Sequence, residues 1–203
     1  AAELEALLAE EFAQAPVWGV KDPRLCRFVP LWLPVLARLK VRPVAVFVMR
    51  EPREVAASLF KRNRWPEGLS RLLWIEHLLE AEVVTRGMPR TALSYDVLLD
   101  GPAQALDGVF SALDVALPAP GPAQIAQLAD FVSPGQRHHR AAAVPDPRWS
   151  AADELYAAMT DRRGPAWDAL PPLRMRFSEA SDLYDEALAG YAAVLDEERL
   201  QGK

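Results

Sequence analysis

A chain of 203 residues is long enough for one domain with a sizeable hydrophobic core, and 51% hydrophobic with 25% charged residues is the balance of an ordinary globular protein. The net charge of -5 excludes a nucleic-acid binder held mainly by phosphate contacts, although a local anion site needs only a few placed cations. The single cysteine, Cys26, excludes an internal disulfide framework and points to a reducing, cytoplasmic compartment.

Leu4, Leu7, Leu8 and Phe12 recur at helical spacing, so residues 3–14 are expected to form an amphipathic helix that Pro16 stops. This opening carries acids and no basic flank, unlike a signal peptide. VWGV (17–20) is a short apolar run of β-formers, read as a first strand with KDPR at its end. RLCRFVPLWLPVLARL (24–39) predicts a helix kinked or interrupted at Pro30 and Pro34. The most apolar stretch, Phe28 to Met49, is broken by Arg38, Lys40, Arg42 and three prolines, too interrupted for a membrane span.

PVAVFVM (43–49) is apolar on every residue, the signature of a strand covered on both faces. Pro52, at a first helical position, opens a helix through REVAASLFKRN. Leu69, Leu72, Leu73, Ile75, Leu79 and Val83 predict a helix over roughly 67–87 that Gly87 ends. On it Glu76, Glu80 and Glu82 are expected to form a solvated face, one of them pairing with Arg71. RTALSY (90–95) reads as a third strand and a helix follows from about 102 to 114. Beyond 118, APGPA, VPDP and LPPL punctuate short helical pieces near 121–132, 150–161 and 178–198, which read as covering without a core of their own. Alternating strands and helices predict an α/β fold: a parallel sheet flanked by helices, in a single domain over 1–203 with a helical part at 118–203.

The chemistry concentrates at 43–62. A buried strand runs into Arg50, a proline begins a helix, and Ser58 lies eight residues beyond the arginine. The carboxyl end of a parallel strand opens on the ligand crevice, and the next helix points its positive end there. Arg50 adds a planar donor fork suited to a phosphate, and the Ser58 hydroxyl, two turns along, lies near the same face. Spacing alone also fits a surface arginine and a small helix residue, as any α/β protein offers many such pairs.

Three stretches, in order, resemble PAPS-dependent sulfotransferases of bacterial type: WGVKDPRLC, VFVMREPREVAASLFKR and GMPRTALSYDVLLDGP, together covering about residues 15 to 105. The resemblance implies a P-loop NTPase-like sulfotransferase fold and sulfuryl transfer from PAPS to a hydroxyl or amine of a small-molecule or carrier-bound acceptor, without a metal. It matches Arg50 and Ser58 to the residues holding the donor's 3′-phosphate. It matches Lys21 to the lysine at the sulfate, where a cation stabilises charge on the leaving oxygen. Asp22 is then placed to orient Lys21 or the acceptor, or else Lys21, Asp22 and Arg24 form a solvated turn around Pro23. RHHR (137–140) corresponds to a basic segment that closes over the donor, with Arg137 and Arg140 as its cations, or to a solvated loop. Its adjacent histidines point apart and make a poor metal pair.

His77 is either a satisfied boundary residue of its helix or a catalytic base. Trp65, Trp149 and Trp167 are either pocket walls or packing residues. The family's loop for the 5′-phosphosulfate, of the form GxxRSGTS, is not found before Lys21, so an N-terminally incomplete domain is expected. GMPRT (87–91) follows a helix and enters a strand, the reverse of a phosphate loop. An inactive sulfotransferase-like binding module and a P-loop nucleotide kinase relative are the alternatives.

Overall fold

A computed structural model describes residues 2–117, 121–132, 146–179, 184–185 and 187–193. The chain begins with α1 (Ala2–Phe12) and α2 (Leu25–Arg38), which pack through Leu8, Val35 and Leu36, with Leu4, Phe12, Trp18 and Trp32 around them. The helix α2 is continuous, although Pro30 and Pro34 lie inside it. Each interior proline costs about 3 kcal/mol. Val35, fully buried, and Leu36 supply packing on the face that holds the helix together.

No strand forms at 17–20, contrary to the sequence expectation. Trp18 instead stacks on Phe12, with centroids 4.5 Å apart and 10° between the rings. The apolar side chain finds its partner in the helical pair, and the backbone stays irregular.

The sheet consists of β1 (Ala45–Met49) and β2 (Arg90–Ser94), parallel and paired from Ala45↔Arg90 to Met49↔Ser94. Between them α3 (Pro52–Asn63) and α4 (Glu67–Val84) form the crossover, and α5 (Tyr95–Asp100) and α6 (Pro102–Ala112) follow β2. The class is thus α/β with a small parallel sheet in a mostly helical chain. The segment Gly87–Pro89 does run from helix into strand.

The expectation that β1 is covered on both faces fails. Phe47 and Met49 are buried, whereas Val46 and Val48 are 40% and 56% exposed. Side chains alternate along a strand. One face of β1 enters the core, and the other opens to a cleft.

That core gathers Phe47, Met49, Ile75, Leu78 and Leu79 with residues far along the chain, including Trp149, Leu155, Met159, Leu170 and Phe177. Trp149 ends a 3-10 turn (Pro147–Trp149), and the other later residues come from α8 (Ser150–Met159) and α9 (Leu170–Glu179), with α7 (Pro122–Phe131) before them. LPPL, read as punctuation, is the first turn of α9. Prolines are tolerated there because the first N–H groups of a helix have no intrahelical partner.

The acids of α4 are not one solvated face. Glu82 is 2% exposed and accepts from Arg86 Nε at 2.9 Å and Nη2 at 2.8 Å, while Arg90 Nη1 bonds its carbonyl at 2.7 Å. Burial alone would raise the Glu82 pKa, but Arg86 and Arg90 outweigh it and hold the carboxyl below its ordinary range. Glu80 meets Arg27 of α2 at 3.4 Å, Glu76 accepts from Tyr184, and Arg71 faces Glu67 at 3.9 Å. Among the described residues no helix is long and apolar enough to cross a membrane.

Candidate functional site

A cleft of about 1500 Å³ is lined by the 17–24 segment, α2, β1 and one face each of α3 and α4. Along β1 it takes in residues of both faces, the exposed Val46 and Val48 and the buried Phe47 and Met49. Arg50, at the end of the strand, lines it as well. On α3, residues one turn apart share a face, so Val55, Ser58, Leu59 and Arg62 line it together.

Four of the expected site residues therefore border one cavity: Lys21, Asp22, Arg50 and Ser58. Arg137 and Arg140 lie outside the described residues. Lys21 is exposed, and Asp22 is half-buried. The Asp22 carboxylate accepts from the Arg24 backbone N–H at 2.7 Å and from its Nε and Nη2 at 3.0 and 2.9 Å. Arg24's side chain, then its backbone N–H, holds the carboxyl far below the usual carboxylate range. Asp22 thus shapes the turn around Pro23, while Lys21 next to it faces the cleft.

Arg50 is 27% exposed and its Nε donates to Glu54 at 3.3 Å. Its guanidinium carbon sits 5.1 Å from the centre of the Tyr95 ring. The parallel register explains this neighbour, because Met49 opposes Ser94 and the next residues leave the sheet side by side. Glu54 is 1% exposed, so the ion pair is anchored in the interior. The bond to Glu54 uses Nε, and the fork formed by the two terminal amino groups is the one suited to grip a phosphate by two bonds beside it.

The amino end of α3 departs from expectation. Glu51 caps the helix, accepting from the Glu54 N–H at 2.8 Å, and also receives Arg53 Nη1 at 3.2 Å. A carboxylate already takes part of the helix's positive end, so side-chain cations carry more of any anion binding than the dipole does.

Sequence reading missed two participants. Arg62, four residues past Ser58, places another guanidinium on the cleft face of α3 and donates to the Asn63 side chain at 2.6 Å. Its i, i+4 spacing from Ser58 was the available signal. Tyr95 was visible only as text in SYD. Of the tryptophans weighed, Trp65 lines the cleft, Trp149 is 2% exposed in the core, and Trp167 packs edge-on to Phe47 at 5.1 Å.

His77 also lines the cleft. Burial lowers its pKa, Arg27 of α2 adds to this, and Glu80, Glu76 and Asp22 oppose it without prevailing. These surroundings therefore favour the neutral imidazole, the form able to accept a proton. A histidine pKa lowered by folding makes the unfolded state bind more protons below the ordinary value of about 6.5. Its contribution is intact above that pH and is lost as pH falls through the folded pKa. His77→Gln is expected to flatten the fall of Tm between about pH 7 and 5; an unchanged slope would show that His77 does not titrate there.

No protein-family model matches this chain, and neither a curated protein nor a solved structure matches it.

Proposed function

We propose that this chain is the part of a PAPS-dependent sulfotransferase that grips the donor's 3′-phosphate and stabilises the leaving oxygen, within a P-loop NTPase-like sulfotransferase fold. One observation carries the reading: Lys21, Arg50 and Ser58, from three separate segments, border the same cleft. Arg50 and Ser58 suit a 3′-phosphate, with Arg62 one turn beyond. When bound, PAPS supplies the sulfuryl group. A bond from the acceptor oxygen or nitrogen to sulfur forms as the sulfur bond to the nucleotide phosphate oxygen breaks, and the electron pair goes to that oxygen. Lys21 stabilises the charge gathering there. The acceptor's proton passes to His77, the neutral imidazole of the same cleft.

Adenosine 3′,5′-bisphosphate is expected to raise Tm. At a hundred times its dissociation constant it adds about 2.7 kcal/mol, roughly 5–10 °C for a chain of this size. Adenosine 5′-monophosphate, which lacks the 3′-phosphate, should do much less, and Ser58→Ala should weaken the bisphosphate roughly tenfold. No shift with millimolar bisphosphate sinks the reading.

A second reading is a module that binds without transferring sulfate. It is favoured by Asp22, whose carboxylate is committed to Arg24. A retained bisphosphate shift with no transfer from labelled PAPS would support it.

A further inference from the structure

We infer that α8 positions the Arg50 guanidinium through a chain of charged side chains, and that Asp153 is the positioning residue at its far end. That Arg50 grips a 3′-phosphate rests on the sulfotransferase reading, but the chain of bonds stands by itself.

Asp153 lies in the first turn of α8, where the positive end of the helix favours a carboxylate. Its two oxygens receive Arg53 Nη1 at 2.5 Å and Nη2 at 2.8 Å, a bidentate pair between residues 100 apart in the chain. Arg53 Nη1 also donates to Glu51 Oε1 at 3.2 Å. The other oxygen of Glu51 caps α3, accepting from the Glu54 N–H at 2.8 Å. The Glu54 carboxylate then receives Arg50 Nε at 3.3 Å. Exposure falls along this chain from 46% at Asp153 to 1% at Glu54, so the links nearest Arg50 are the least screened by water.

The order of the links gives Asp153 its role. Arg53 is a cation in the first turn of α3, beside a helix end whose dipole opposes it. With Asp153 in place, Arg53 is satisfied across the helix pair and leaves Glu51 to its cap. Without Asp153, Arg53 draws on Glu51 alone and competes for it with the Glu54 N–H. The first turn of α3 loosens, the Glu54 carboxylate moves with it, and Arg50 loses the contact that fixes its Nε. An arginine held at Nε presents its terminal fork in one direction. A freed one has to be ordered by the ligand, which weakens binding.

The test measures the dissociation constants of adenosine 3′,5′-bisphosphate and adenosine 5′-monophosphate on the whole chain by calorimetry, and follows the Arg50 Nε–H by NMR. Asp153→Asn keeps the volume and removes the charge. It should weaken the bisphosphate roughly fivefold and leave the monophosphate unchanged. Asp153→Glu should recover most of the affinity. Beside Arg50→Lys, Asp153→Asn should have no further effect, because lysine offers Glu54 no fork to steer. A loss shared equally by both nucleotides, or one that persists beside Arg50→Lys, would mark Asp153 as merely structural and overturn the proposal. So would an unchanged bisphosphate constant. Asp153 is exposed enough for asparagine to leave folding intact, and Arg53→Gln breaks the same link from the other side and should reproduce the selective loss.

The Arg50 Nε–H signal, identified by its disappearance in Arg50→Lys, needs no ligand. Its exchange with water should quicken roughly fivefold or more in Asp153→Asn. An unmoved signal overturns the proposal whatever the nucleotides do. A responding signal in a chain that binds no bisphosphate would uphold the positioning by α8 while sinking the donor reading, so the two failures are distinguishable.

Discussion

Arg50→Ala is expected to abolish the rise in Tm that adenosine 3′,5′-bisphosphate produces. The guanidinium stands where the open face of β1 meets α3, fixed from the interior by Glu54 at 3.3 Å and from the side by the Tyr95 ring at 5.1 Å. A side chain held in place gives up little rotamer freedom when it grips an oxyanion, so most of the bond's strength appears as affinity. Losing it should cost about 3 kcal/mol, or roughly 100-fold in Kd. The substitution also strips a partner from Glu54, which is 1% exposed, so the ligand-free protein should melt lower as well. The decisive quantity is therefore the difference between Tm with and without ligand. Arg50→Lys keeps the charge but not the fork and should restore only part of that difference. An unchanged ligand shift in the alanine variant would remove Arg50 from the site.

Trp149→Ala is the substitution expected to damage stability most. Trp149 is 2% exposed at the start of α8, and its Nε1 donates to Glu67 at 3.3 Å. The guanidinium carbons of Arg53 and Arg71 lie 5.0 and 5.4 Å from its ring centre. Arg53 is further clamped by Asp153 of α8 at 2.5 and 2.8 Å, with the Asp153 side chain first in holding its pKa above the ordinary arginine value. The indole thus joins α8 to both helices of the crossover. Removing it leaves a cavity and withdraws two cation–π contacts, at a cost of about 3–5 kcal/mol. That corresponds to a fall in Tm of roughly 6–20 °C. Trp149→Phe fills most of the volume and should recover more than half. A loss under about 1 kcal/mol for the alanine variant would show that the joint is not formed in solution.

Particular residues show which parts of this protein were readable in advance. Leu4, Leu7, Leu8 and Phe12 announced α1, because helical spacing of apolar residues is a local property. The strand at 45–49, Pro52 at the head of α3 and the parallel crossover to 90–94 were likewise written in short-range pattern. The spacing from Arg50 to Ser58 needed only the geometry of one strand end and one helix, and both line the same cleft.

Burial was another matter. PVAVFVM has seven apolar residues in a row, and nothing within it says that Val48 is 56% exposed while Met49 is 4% exposed. VWGV has strand composition, yet Trp18 went to Phe12 because α1 lay within reach. Glu82 resembled its neighbours Glu76 and Glu80 until Arg90, arriving from the next strand, met it in the interior. The sequence by itself determined α1, β1, the crossover helices and β2, and the placement of cations along them, since period and punctuation act over a few residues. The tertiary structure alone decided which faces are covered and which charges are paired, because those depend on partners brought together from distant parts of the chain.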